Sequence, residues 1–530
     1  MDTPAAPVIR SVDNAPASDG LVPRPRVVVV GVGHGGLECV QALRREPVDV
    51  LVIDRHNYHT FQPLLYQVAT AGLDIDDVTQ PARHIFQRQA NVDFRLGTVV
   101  GADFDARLLF LDEGRPVPYD VLVLAAGATT AYFGVDGAEA HAFPLKSGED
   151  AVRLRSHVLR QFEAANRNPA LVDAGATTVV VVGGGATGVE MSGALHELFS
   201  RVLARDFPAL DVRGLARVTL VEGGDRLMTA YDADLSDYTA RTLRRRGVEV
   251  RLGTQVARVT PEGVELAGGE LLPARTVVWA AGIRAVPLAA ALGVATTRGG
   301  RIVVDDALRL PGHPEVFVVG DLAGATDAAG ALYPQVAQVA IQQGRHAAAQ
   351  MRAVAAGHAP RPFRYRDPGN MATIGRNAAI LQLPNGFKLR GVIAWLGWLV
   401  VHVLALAGFR NRVAVMFSWV YNYFTYDRGP RLIIEPARPV PAASEPAASG
   451  PAASAPSAGP SVPTAALPPA VPADRLAELL PSQVGDMARG EVVAEQDSAM
   501  GLTVSRAEGT YGTGPDAITL LVLDVGSAEG

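Results

Sequence analysis

Two stretches constrain this chain more than any other: RVVVVGVGHGG at 26–36 and TVVVVGGGATG at 178–188. Each runs four valines into three glycines in G-x-G-x-x-G register. Those glycines are Gly31, Gly33 and Gly36 in the first and Gly183, Gly185 and Gly188 in the second. An unbroken β-branched run predicts a strand buried on both faces. The first glycine permits a tight strand-to-helix turn, the second lets backbone approach a pyrophosphate, and the third lets helix and strand pack closely. The following helix N-terminus offers free N–H groups to phosphate. After the first motif, a strand over 48–53 ends in Asp54, about 20 residues on, where a carboxylate accepts from ribose hydroxyls. After the second, a strand over 216–221 ends in Glu222. That spacing is longer than usual, and a helix extended to about residue 204 accounts for it. One glycine fingerprint alone also fits an ordinary turn. Here strand, glycines, helix, strand and acid occur in order, twice.

Two fingerprints argue for two dinucleotides. If one is FAD and the other NADH, the chain is a flavoprotein that takes hydride from nicotinamide. Glu222 would repel a 2′-phosphate and so favours NADH over NADPH, although Arg226 lies near. VLVLAAGATT at 121–130 and VVWAAGIRA at 277–285 read as matching return segments. PEVFVVGDLAG at 314–324 brings a strand into Gly320 and Asp321. Asp321 alone is a strand-end acid; after two fingerprints it is placed to hold a flavin ribityl chain. YPQVAQVAIQQG at 333–344 predicts a helix with Pro334 in its first turn and Gly344 just past its end. Gln338 and Gln342 share one face, and Ala337 and Ala340 leave room for a flat ligand. The glutamines also fit a polar helix surface.

Composition narrows the partners. A net charge of -6 argues against nucleic acid. The single cysteine, Cys39, excludes a disulfide framework and a dithiol redox pair. His56 and His59 lack a third ligand nearby, so no metal site is expected. The first 23 residues read as a disordered lead-in without a secretory signal. GVIAWLGWLVVHVLALAGF at 391–409 is apolar apart from His402. At about 28 Å as a helix it is long enough to span a bilayer. The next segment carries Trp419, Tyr421, Tyr423, Phe424 and Tyr426, suited to a membrane interface. Residues 436–473 are a Pro/Ala/Ser-rich linker. Residues 474–530 regain a helical turn or two and one strand, AITLLVLDV, and their role stays open.

Three segments are more specific than the glycines: FQPLLYQVATAGL at 61–73, AQVAIQQG at 337–344, and GFRNRVAVMFSWVYNYFTYDRGPRLI at 408–433. With them the chain, from about 24 to 435, resembles the type II, single-subunit, non-proton-pumping NADH:quinone oxidoreductases. The resemblance implies an α/β fold of two Rossmann-like dinucleotide-binding domains, one for FAD and one for NADH, followed by an amphipathic membrane-associating helical segment. FAD would use Gly31, Gly33, Gly36, Asp54, Gly320 and Asp321. NADH would use Gly183, Gly185, Gly188 and Glu222. Ala337, Gln338 and Gln342 would border a membrane quinone, ubiquinone or menaquinone. Glu190 matches a family glutamate near flavin and nicotinamide, the catalytic candidate; from sequence alone it equally fits a helix first-turn dipole partner.

The expected domains are an FAD part over 24–145, an NADH part over 146–290, a second FAD part with the quinone helix over 291–384, and anchoring helices over 385–435. The resemblance implies monotopic attachment to the cytoplasmic side of the cell membrane, reversing the spanning reading that hydropathy favours. A homodimer stays open. Two other readings compete: a reductase with a protein electron acceptor, and a non-enzymatic flavin-binding redox sensor.

Overall fold

A computed structural model describes residues 24–297, 299–406, 408–434, 472–478, 480–484, 487–499, 502–511 and 518–527. The lead-in over 1–23 and the linker reading over 436–471 lie outside the described residues. The chain divides into two compact units, Met1–Arg438 and Pro439–Gly530.

In the first unit the valine runs do what their sequence dictates. Strand Arg26–Val30 pairs in parallel with Asp49–Asp54 on one side and Val121–Leu124 on the other. Val92–Leu96 and His313–Val318 extend the parallel array, and Arg309–Leu310 closes one edge antiparallel. Val27 and Val29 join one core, while Val28 and Val30 join another on the opposite face. Alternate residues of a strand point to opposite faces, so a continuous apolar run is what a doubly covered sheet demands.

The second motif builds the same object. Thr178–Val182 pairs in parallel with Arg217–Val221 and Thr276–Trp279, and Arg217–Val221 with Glu249–Arg251. Val179 and Val181 face one core, Val180 and Val182 another. Each sheet also receives its return strand through a three-stranded antiparallel meander. The meanders are Val99–Asp103, Leu108–Leu111 and Val117–Pro118, then Val256–Thr260, Gly263–Leu266 and Leu271–Pro273. The chain crosses between the halves on the antiparallel pair Ala128–Thr130 and Ile283–Ala285.

A three-stranded antiparallel sheet, Asn370–Gly375, Ala378–Gln382 and Lys388–Gly391, precedes two helices, Val392–Ala405 and Phe409–Thr425. The spanning reading of 391–409 is corrected here. The helix stops at Ala405, Leu406 is extended, and Gly408 takes a φ of +81°, a left-handed conformation that suits glycine. Fourteen residues span about 21 Å, short of a roughly 30 Å hydrocarbon core. Among the described residues no helix is long and apolar enough to cross a membrane. Both helices are anchored to the unit. Trp398 is buried, and Asn411 Nδ2 donates to the carbonyls of Asp76, Asp77 and Thr79 at 2.9–3.2 Å. Their other sides leave Ile393, Leu404, Phe417 and Phe424 more than 60% exposed.

In the second unit, helix Ala473–Glu478 precedes an antiparallel meander of Met487–Ala499, Leu502–Tyr511 and Ile518–Ser527. Its first two strands are polar on much of their length, so an apolar alternation is hard to see there.

Candidate active site

The two glycine turns are superimposable in logic. Gly31 has a φ of +102° and a Cβ there would lie 2.5 Å from the Ala125 carbonyl oxygen; Gly183 has +111° and the same distance to that of Ala280. A Cβ at Gly36 would overlap the Gly31 carbonyl, and one at Gly188 that of Gly183. These four positions are closed by backbone. Gly33 and Gly185, by contrast, have nothing within 4 Å of a Cβ. They cap helices His34–Ala42 and Ala186–Glu197, and neither helix has a side-chain cap or an acid in its first turn. Free N–H groups therefore face open space at both turns, as a pyrophosphate requires.

Each strand-end acid is fixed beside its turn. Asp54 accepts from the Val32 N–H at 2.7 Å and the His56 N–H at 2.8 Å. Glu222 accepts from the Gly184 N–H at 2.5 Å and the Gly224 N–H at 2.7 Å. Lone pairs remain on each carboxylate for ribose hydroxyls. The Arg226 guanidinium donates to the carbonyls of Thr229 and Tyr231. It is tied to its own loop. His34, in the first turn, is half-buried beside His59, and loss of solvent around its ring pushes the imidazole down to about 3, so it is neutral.

Strand His313–Val318 delivers Gly320 and Asp321 beside helix Ala337–Ala355. The Gly320 N–H donates to buried Gln343 at 2.7 Å, and Gln335 donates to the Asp321 carbonyl at 2.8 Å. Burial raises the Asp321 carboxyl, opposed by Lys146 at 3.9 Å and by Arg301. Gln343 and Lys146 escaped the sequence reading. The first looks like one more glutamine in a polar run, and the second arrives from a segment 175 residues away.

The expected helix over 333–344 is corrected at both ends. It begins at Ala337 and runs through Gly344 to Ala355. Gly344 does not stop it. A Cβ there would overlap the Gly35 carbonyl, so the glycine serves close packing on helix His34–Ala42. Ala337 is half-buried and Gln338 is exposed. Gln342 differs from Gln338: its amide donates to the Arg366 carbonyl at 2.8 Å and accepts from the Arg366 N–H at 3.0 Å.

Glu190 is the fifth residue of its helix, beyond the first turn, which removes the dipole-partner alternative. It is buried and accepts from the Thr373 N–H at 3.2 Å. Burial pushes its carboxyl up to about 8, so it holds a proton at neutral pH. Tyr66 and Tyr231 also feel its charge. Helix Ala186–Glu197 continues as a π-helix over Leu198–Leu203, the extension expected before Glu222.

Known proteins match both the nucleotide units and the C-terminal helices. The pyridine nucleotide-disulphide oxidoreductase family matches residues 25–344, and the NDH2 C-terminal domain matches 368–426. The type II NADH:quinone oxidoreductase NdhA of Mycobacterium tuberculosis is 38% identical over 77% of this chain and 89% of its own length. A second enzyme of that organism, Ndh, is 36% identical over 78% and 91%. The structure of NDH2 from Plasmodium falciparum with NADH aligns with a TM-score of 0.70 at 18% identity, over 78% of this chain and all of that one. The chain belongs to the type II NADH:quinone oxidoreductase family.

Proposed function

We propose that this protein works at a membrane surface, oxidising NADH with FAD as its flavin and a quinone as the electron acceptor. One observation carries the reading: two equivalent dinucleotide cradles in one compact unit, with exposed apolar helices anchored to that same unit. In the proposed domain division, 24–145 and 291–384 hold FAD, 146–290 holds NADH, and 385–435 meets the membrane. Bound FAD would take hydride from nicotinamide and pass two electrons to the quinone.

The chain's residues do the remaining work. Gly31, Gly33 and Gly36 would seat the FAD pyrophosphate, with Asp54 on the ribose and Gly320 and Asp321 at the ribityl chain. Gly183, Gly185 and Gly188 would seat that of NADH, with Glu222 on the adenosine ribose. Ala337, Gln338 and Gln342 would border the quinone ring, Gln342 while its amide is bonded to the Arg366 backbone. Reducing a quinone takes two electrons and two protons, and hydride brings only one proton. A second must be held close by, and protonated Glu190 is the buried group fitted to supply it. The apolar sides of Val392–Ala405 and Phe409–Thr425 suit a bilayer surface better than a soluble electron-carrier protein.

NADH oxidation by detergent-solubilised protein, with and without a short-chain quinone, tests the reading. A quinone-dependent rate is expected. A yellow protein that bleaches with NADH yet shows no quinone-dependent turnover would overturn it. Flotation with liposomes tests the surface attachment separately, and protein left at the bottom of the gradient would remove it.

A further inference from the structure

A run of hydrogen bonds, side chain to side chain as far as the Thr373 hydroxyl and then from the Thr373 backbone, joins the C-terminal helices to Glu190. Trp419 Nε1 donates to Gln67 Oε1 at 2.7 Å, and Gln67 Nε2 donates to the Tyr66 hydroxyl at 3.0 Å. That hydroxyl lies 3.1 Å from Thr373 Oγ1, and the Thr373 N–H reaches Glu190 Oε1. The direction of the run is set at its far end, because an indole N–H can only donate. Gln67 must therefore turn its oxygen to Trp419 and its NH2 to Tyr66. The Tyr66 oxygen then accepts from Gln67, and its own proton is left for Thr373. Tyr66, Thr373 and Glu190 are all buried, so a broken link would leave a polar group without water, at about 1–3 kcal/mol.

We propose that Gln67 and Tyr66 are positioning residues that carry the seating of Trp419, and with it helix Phe409–Thr425, to the Glu190 carboxyl. Away from Trp419 that helix exposes Phe417, Val420 and Phe424, the surface offered to lipid. A helix gripped by lipid on one side and by Gln67 on the other reports its position to Thr373. The inference rests on the proton-holding role given to Glu190 above.

The groups around that carboxyl are few. Tyr66 faces it from helix Leu65–Ala69 and Tyr231 from the loop before Ala233–Arg245. Strand Asn370–Gly375 supplies Thr373, with Arg376 just beyond it. On the helix of Glu190 itself, Glu197 pairs with Arg376 at 3.0 Å and Arg428 at 3.2 Å, and Arg246 is also near Glu197. The three guanidiniums gather on Glu197, and it is burial and the Thr373 N–H that act on the Glu190 carboxyl. Loosening the Tyr66–Thr373 link admits water to Glu190 and favours its ionised form.

The test uses the full-length, flavin-loaded protein with Gln67→Leu, Tyr66→Phe and Trp419→Phe. Two readouts are taken from about pH 6 to about pH 9. One is quinone reduction. The other is the infrared carboxyl band of Glu190, assigned by its loss in Glu190→Gln. Each variant should lower the midpoint by about half a pH unit or more, and the Gln67→Leu/Trp419→Phe pair should be non-additive. Flavin content checks folding; if Trp419→Phe fails to hold flavin, the other two variants carry the test. An unmoved infrared midpoint in flavin-loaded variants overturns the positioning role. If instead the band moves while Glu190→Gln leaves the turnover profile unchanged, positioning stands and the proton-holding role of Glu190 falls.

Discussion

Glu190 ties the chemistry of the site to the stability of the fold. Its carboxyl sits near 4.5 when the chain is unfolded and near 8 when folded. Across that window the folded state keeps a proton that the unfolded state has released. Stability therefore falls as pH rises from about 5 to 8, at up to about 1.4 kcal/mol per unit. Glu190→Gln removes this dependence. Urea unfolding at pH 5 and pH 8 should show the variant gaining on the parent at the higher pH; parallel losses would mean that the carboxyl is already ionised. Glu222 makes a different prediction. In its proposed role on the adenosine ribose, its two backbone bonds would hold it where a 2′-phosphate would come, and Arg226 is occupied by the Thr229 and Tyr231 carbonyls. Glu222→Gln should reduce the preference for NADH over NADPH by roughly tenfold or more, read as the ratio of kcat/KM. The two glutamines separate in the same way. Gln338→Ala should raise the quinone KM and leave flavin bleaching by NADH unchanged. Gln342→Ala should cost about 1–2 kcal/mol of stability through its two Arg366 bonds, seen as a lower denaturation midpoint.

Elements were legible in the sequence where local chemistry decides them. A valine run, a glycine turn and a strand-end acid are each written within a dozen residues, and both copies fold as read. What escaped depends on distant segments. Glu190 sits against Thr373, Gln343 reaches Gly320, and Asn411 gathers three carbonyls from helix Ile75–Val78 and the strand residue Thr79 after it. No window of sequence holds both partners. Hydropathy likewise counted 391–409 as one run because it cannot weigh the left-handed turn at Gly408. The misread role of Gly344 is the clearest case, since a glycine near a helix end and a glycine at a helix crossing look alike. The crossing reading predicts that Gly344→Val forces helix Ala337–Ala355 off Gly35, at about 1–3 kcal/mol of overpacking. The turn proposed to seat the flavin lies at the start of the partner helix, so the purified variant should carry less flavin. A normal ratio of flavin to protein absorbance would show that the two helices tolerate separation.

At the scale of the whole molecule, everything assigned to turnover lies in the first unit. The glycine cradles, Asp321, Glu190, the helix proposed to face the quinone and the apolar C-terminal helices all fall within residues 24–434. The family matches end at residue 426, and the Mycobacterium tuberculosis relative is covered over 89% of its length by 77% of this chain. The unit over Pro439–Gly530 has its own helix and strand meander, whose Leu476 and Leu480 pack with Ala507 in a small core of their own. A unit with a core of its own is the usual mark of a separate domain. A chain ending after Arg438 should therefore keep its flavin and retain NADH:quinone turnover within about twofold of the full-length protein, since every residue assigned to either cradle lies before that point. The comparison is best made on liposomes as well as in detergent. Equal rates in both place the tail outside electron transfer, whereas a rate lost only on liposomes would give it a part in how the enzyme meets lipid.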